Sequence, residues 1–348
     1  MFMVNKRESL SPLAYMIMTA VLLTSVLICV CVGSVNIPIL DTAKVLLDGI
    51  VSLVTGNELS RGGSYAIILL SRLPRVLCVA LTGASLSLCG AAMQGLLRNP
   101  LADGSTLGVS SGASLGAVTA IALGITIPGL AGVGTMVTAI LFAFLSLGLI
   151  LFLSYHIDRN MSTNTIILMG VVFSMFATSI ISLITVFSQE KVRTITFWTM
   201  GSLANTNYIN VLTIFFAFIL CSAVLFCCSR ELNAFAIGEE NARHIGVNVK
   251  VVKLIVLIAV SALIGVCVSV GGTIGFVGLI IPHITRKLFG PNHKKLLPAV
   301  VFFGGVFLLF ADLVSRTLLR PLELPVGIVT SIIGTVVFII IFARKGAK

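Results

Sequence analysis

Charge is what this sequence has least of. Lysine, arginine, aspartate and glutamate make up 10% of its 348 residues, against about a quarter in an ordinary soluble domain, which excludes a water-soluble globular domain. Acidic residues are the scarcer sign, 12 against 23 basic ones. No G-x-x-x-x-G-K-[S/T] occurs; "GGTIGF" and "GSTLG" lack the lysine that reaches nucleotide phosphates, so this chain does not hydrolyse ATP and is not itself an enzyme. There is no H-E-x-x-H, no G-x-S-x-G and no carboxylate pair within an apolar run, and a membrane enzyme therefore has no catalytic constellation. The four histidines, His156, His244, His283 and His293, stand singly at predicted span ends, and the eight cysteines include no C-x-x-C. The cysteines read as small apolar residues, and no metal site is expected. No basic stripe with interleaved aromatics is present to bind nucleic acid.

What is present is apolar surface: 57% of the residues are hydrophobic, with a mean hydropathy of +1.14. A bilayer-spanning helix needs roughly 20 mostly apolar residues. Such runs lie near 12–34, 74–96, 105–123, 130–153, 165–187, 208–228, 251–270, 273–289, 296–314 and 324–343. They predict an all-α polytopic membrane protein with about ten transmembrane helices, folded as one domain over residues 1–348. The first run follows the basic start "MFMVNKRES"; it exceeds the roughly 7–15 residues of a signal h-region and no A-x-A site follows, so it predicts an uncleaved first span. About two thirds of the lysines and arginines, Lys253 among them, fall on the side of the N-terminus. That bias predicts cytoplasmic termini in a cell membrane, and the net charge of +11 then reflects topology and anionic lipid headgroups.

Three stretches carry more than hydropathy. "RNPLADGSTLGVSSGASLG" repeats glycine every fourth residue, at Gly104, Gly108, Gly112 and Gly116. On a helix these form one stripe that lets a neighbouring helix approach closely. Ahead of it, Asn99, Pro100 and Asp103 break helicity at a membrane boundary, where irregular backbone is tolerated only beside protein or a water-filled cavity. In "AIGEENARHIGVNV", within an inner loop at about 229–250, Glu239 and Glu240 occupy a first helical turn, Arg243 and His244 a last one, and Gly246 the cap. On these residues alone the element is either a solvated surface helix or a dock for a cytoplasmic partner. "LLSRLPRVL" sets Arg72 and Arg75 around Pro74 at the predicted outer mouth of a span. The proline discourages a regular helix before it, and snorkelling to lipid headgroups explains the arginines as well as a partner does.

With "GAAMQGLLRNPLADGSTLGVSSGA", "FWTMGSL", "GTIGFVGLIIPHITRKLFGPNHKKLLP" and "ADLVSRTLLRPLELPVGIVTSIIGTVVF", these stretches resemble, in order from about residue 12 to the C-terminus, the signatures of FecCD-type permeases. Those are the membrane subunits of ATP-binding cassette (ABC) importers for ferric siderophores, haem and cobalamin. The resemblance implies a type II ABC importer permease fold, a homodimer or close heterodimer around one translocation path, two cytoplasmic ATPase subunits that use ATP and Mg, and an extracytoplasmic substrate-binding protein. It implies no cofactor bound by this chain. It assigns Gly238, Glu239, Glu240, Ala242, Arg243 and Gly246 to a cleft of the ATPase, and Asn99, Leu101, Thr163 and Asn164 to a cytoplasmic gate, with Asn164 standing where a serine is expected. It assigns Arg72, Arg75 and Arg316 to docking of acidic residues on the binding protein. None of these motifs carries substrate specificity. The competing expectation is an ion-coupled secondary transporter, which places an ionisable group near the bilayer midplane. All 12 acidic residues fall at or near predicted span ends, which argues against it.

Overall fold

The computed structural model describes residues 10–33, 37–55, 65–104, 106–127, 132–159 and 161–346. The basic start with Lys6, Arg7 and Glu8 lies outside the described residues, as do Glu58, Arg61 and Lys348.

Ten helices coincide with the ten apolar runs. They are α1 (Pro12–Cys31), α3 (Leu73–Leu96), α4 (Val109–Leu123), α5 (Val133–Ile157), α6 (Thr163–Phe187), α8 (Tyr208–Cys227), α11 (Val249–Gly271), α12 (Val277–Phe289), α13 (His293–Thr317) and α14 (Val326–Gly346). Seven are long and apolar enough to cross a membrane; α4 and α14 are shorter apolar helices, and α12 has 13 residues. The remaining elements connect them: α2 (Ile39–Thr55), α7 (Val192–Thr199), α9 (Ser229–Ala236) and α10 (Glu239–His244). Neither α2 nor α7 is legible from hydropathy.

Ends are set locally. Ser11 accepts the Ala14 amide at 3.2 Å and Pro12 opens α1, a hydroxyl cap followed by a residue whose missing N–H costs nothing in the first turn. Asn207 and Asn210 cap α8 reciprocally, each side chain accepting the other's amide at 3.0 Å. Before Pro74 the chain does not leave the helix. Ala66–Arg72 is a π-helical turn in which the Leu73 amide reaches back to the Ile68 carbonyl. The wider turn accommodates the proline, which would clash in an α-helix.

The bundle is organised around α3. Of the most apolar window within Ala66–Leu96, 78% is buried, against 17% in α6, although α6 has the higher hydropathy, 2.3 against 1.9; in lipid it is small residues, not apolarity, that mark the inner helix. Helices meet it at backbone distance. A Cβ on Gly83 would strike the Gly304 carbonyl of α13, and one on Gly90 the Gly278 carbonyl of α12, the small-residue contact that replaces hydrophobic drive in lipid. The four-glycine stripe is only half helical. Gly112 and Gly116 lie on α4 against Ser146, Phe142 and Thr138 of α5. Gly108 is the left-handed N-cap of α4 (φ 72°) beside the Gly170 carbonyl, and Gly104 packs on Ile264 within the preceding turn. Helix is lost there because Asp103 and Thr106 close their own turn, the Thr106 hydroxyl donating to the Asp103 carbonyl at 2.7 Å and the Thr106 amide to Asp103 Oδ1 at 3.3 Å.

Candidate functional site

Three regions stack along the bundle. At the α10 end, the turn ahead of α4 is built by Asn99, whose Oδ1 accepts the Leu101 amide at 2.9 Å, after Arg98 has taken a left-handed conformation (φ 49°). Leu101 is exposed. Thr163 opens α6 and its hydroxyl donates to Glu239 Oε1 at 2.8 Å, while Asn164 is exposed. Among the described residues no hydrogen bond joins the Asn99–Leu101 pair to the Thr163–Asn164 pair. It is the Thr163 side that is tied to α10 by a hydrogen bond, through Glu239.

The helix α10 runs over the residues its capping pattern predicts, with Gly238 ahead of it at φ 118° and Gly246 after it at φ 92°, conformations that favour glycine. Its faces divide the six residues expected at an ATPase. Glu240, Arg243 and Gly246 are exposed; Gly238 and Ala242 are buried against the bundle, and Glu239 turns inward. Ile237 and Ile245, unmarked in the sequence reading, are exposed apolar residues flanking the helix. Amphipathicity is weakly defined over six residues, so this face was not legible beforehand.

Midway along the helices lies a cavity of about 550 Å³. Its wall includes Ser110, Ser111 and Ser114 of α4, Thr178 of α6, Thr199, and the irregular segment from Gly272 to Phe276 that enters α12. Four of these hydroxyls are turned to backbone. Ser114 donates to the Ser110 carbonyl at 2.8 Å, Thr178 to Ser174 at 2.8 Å, Thr199 to Thr196 at 2.9 Å, and Thr273 to the Thr199 carbonyl. A hydroxyl whose proton is so used faces the cavity as an acceptor. Among the described residues, the one charged side chain on the wall is Asp103.

At the opposite end, the three arginines expected on an outer docking surface are buried: Arg72 is 6% exposed, Arg75 8% and Arg316 2%. Arg72 Nη1 donates to the Val30 and Cys31 carbonyls at 3.1 and 3.0 Å, and Arg316 Nη2 to the Cys29 carbonyl at 2.6 Å. Together they satisfy the last carbonyls of α1, which have no intrahelical partner. Arg75 donates to Asp312 Oδ1 through Nε (3.0 Å) and Nη2 (2.9 Å), and to Glu323 Oε2 through Nη1 (2.7 Å). Arg316 Nε stands 3.2 Å from Asp312 Oδ2, an ion pair without hydrogen-bond alignment. Asp312, expected at a span end, is 1% exposed within α13. The i,i+4 spacing of Asp312 and Arg316 was the signal available in the sequence. Two fixed cations match this carboxylate, so it is not the lone intramembrane acid of an ion-coupled carrier. A second cavity of about 790 Å³ opens beside it, lined by Arg193, Asn205, Asn207, Asn210 and Glu323 among others.

The sequence matches the FecCD transport family over residues 21–344. YvrB of Bacillus subtilis (strain 168), described as an uncharacterized ABC transporter permease protein, is 42% identical over 333 residues, covering 95% of this chain and 94% of its own. MolB of Haemophilus influenzae, a molybdate import system permease protein, is 36% identical over 274 residues, covering 78% of this chain and 79% of its own. Among solved structures, an inward-facing conformation of a transporter described as of metal-chelate ABC type superposes with a TM-score of 0.83 at 31% identity, over 96% of this chain and 100% of that one.

Proposed function

Because the chain belongs to the FecCD transport family, the permeases of ABC importers, we propose that its cargo is a metal chelate, foremost an iron-siderophore complex, with haem and cobalamin as chemical relatives. The observation that carries this reading is the wall of the 550 Å³ cavity. Four of its hydroxyls have given their protons to backbone carbonyls, and neither lysine nor arginine lines it among the described residues. A surface of weak acceptors and apolar groups lets a bulky neutral or polar complex pass without trapping it. A free oxyanion is held best by a cation, and none lines this wall among the described residues; of its hydroxyls, Thr82, Ser110 and Ser111 keep a proton to donate.

In this reading the α10 end faces the cytoplasm. One of two separate ATPase subunits seats against the exposed face formed by Ile237, Glu240, Arg243, Ile245 and Gly246, and the other against the second permease subunit. Asn99, Leu101, Thr163 and Asn164 form the cytoplasmic gate above that face, and the second permease subunit completes the path. The arginine end receives the binding protein. Arg75 already holds Glu323, so an incoming carboxylate has to displace an internal one.

MolB supports a second reading, molybdate import. Reconstitution with the cognate ATPase and binding protein in proteoliposomes separates the two. ATP-dependent accumulation of a radio-iron siderophore without molybdate uptake is the expected result. Molybdate uptake without any chelate uptake would replace the proposal by the second reading.

A further inference from the structure

Lys253 sits on the second turn of α11, where composition alone places it among the positive charges that orient the chain against lipid. Its side chain is instead 3% exposed. The ammonium stands 2.7 Å from Glu239 Oε1 and donates to the Met161 carbonyl at 3.0 Å. Glu239 Oε1 also accepts the Thr163 hydroxyl at 2.8 Å. One ammonium and one carboxylate oxygen thus tie together three segments remote in sequence: the start of α6, the start of α10 and α11.

The segment they hold is constrained from its other side. Met161 is a non-glycine residue at φ 50°, and its amide donates to the Asp158 carbonyl at 2.8 Å. The neighbouring Ser162 amide donates to Asp158 Oδ2 at 2.9 Å. A left-handed methionine persists only where surrounding bonds over-determine it. A buried ammonium likewise persists only where acceptors replace its water. Both conditions are met at the same carbonyl.

We propose that Lys253 is a positioning residue for energy coupling: it locks the first turn of α10 to the gate end of α6, so that a displacement of α10 moves Thr163 and Asn164 with it. Glu239 is then an internal strut and not an ATPase contact. The proposal rests on the ABC-permease reading above. Without the lysine, Glu239, partly open to water, turns outward and α10 slips against α6.

The test uses the full complex of permease, cognate ATPase and binding protein in proteoliposomes. Substrate uptake per ATP hydrolysed is measured together with the modification rate of a cysteine at position 164, introduced into a chain stripped of its native cysteines, in nucleotide-free and ATP-bound states. Lys253→Met should retain ATPase copurification, lower uptake per ATP by about tenfold, within the range of an ordinary coupling free energy, and abolish the nucleotide-dependent change at position 164. Lys253→Arg, which keeps the charge, should recover most of both. A wild-type ratio and a wild-type labelling change in Lys253→Met overturn the proposal. If Lys253→Met fails to reach the membrane, Glu239→Gln decides: it keeps the side-chain size and removes the ion pair, and wild-type coupling in it overturns the proposal equally. A wild-type chain that copurifies with no ATPase would instead refute the permease reading, which keeps the two failures apart.

Discussion

At the scale of single residues, two glycines of similar appearance have opposite roles. Gly90 of α3 faces the Gly278 carbonyl of α12 so closely that a Cβ has no room, and the obstacle is backbone. Gly148 of α5 has nothing within 4 Å of a Cβ. Gly90→Ala should force the two helices apart at a cost of about 1–3 kcal/mol, the usual range for overpacking. Gly148→Ala should be neutral or raise stability by up to about 1 kcal/mol, because alanine is the better helix former. Thermal unfolding of the detergent-purified permease followed by size-exclusion fluorescence reads both; equal melting temperatures for the two variants would show that the α3–α12 contact tolerates a methyl. The arginines belong to this scale too. Arg72 and Arg316 cap α1, so their first role is structural. Substituting glutamate at either would leave helical carbonyls facing a carboxylate.

At the scale of elements, α10 shows how capping and tertiary contact divide the work. Gly246 stands at φ 92° in open space, so a side chain there meets strain and no clash. Gly246→Val should therefore cost about 1–2 kcal/mol locally, the penalty of left-handed backbone for a side chain that dislikes it, while the bundle keeps its melting temperature within a few degrees. The seating of α10 should suffer instead, seen as reduced copurification of the ATPase and reduced uptake. Wild-type copurification and uptake together would show that the turn after α10 does not position it. The π turn before Pro74 is a second case. A proline usually marks a helix boundary, yet here the helix widens and continues, carrying Arg72 and Arg75 into the protein.

At the scale of the whole molecule, the two ends differ in how charge is held. The α10 end exposes Glu240 and Arg243; the arginine end exposes Arg193 and Arg320 but folds Arg75, Asp312 and Arg316 into a network whose most exposed member is Glu323, on the connection between α13 and α14. If the binding protein docks through Arg75, Glu323 competes with it. Glu323→Gln should then tighten binding of the loaded binding protein to the permease–ATPase complex by about fivefold, the equivalent of roughly 1 kcal/mol for a partly exposed pair. Biolayer interferometry on nanodisc-embedded complex measures it, and unchanged or weaker binding would remove Arg75 from the docking surface.

The ten apolar helices, the short helix α10 and its glycine cap are legible in the sequence, because apolar length, capping residues and a glycine at positive φ act within a few residues of chain. The direction in which charged side chains point did not. Arg75 meets Asp312 across 237 positions, and Lys253 meets the Met161 carbonyl across 92. Hydropathy sums neighbours along the chain, so it assigned both cations to a membrane surface. Only the folded bundle, by bringing acceptors to a buried guanidinium and a buried ammonium, made their removal from water affordable. The cavity divides the same way: Ser114, Thr178 and Thr199 donate to carbonyls three or four residues back in their own helices, a local bond, whereas the Thr273 bond to the Thr199 carbonyl across 74 positions and the gathering of these hydroxyls on one wall exist only once α4, α6 and the turn into α12 face one another. Tertiary structure decided the placement of the charges because desolvation of a buried cation is offset by partners in space, not by neighbours in sequence.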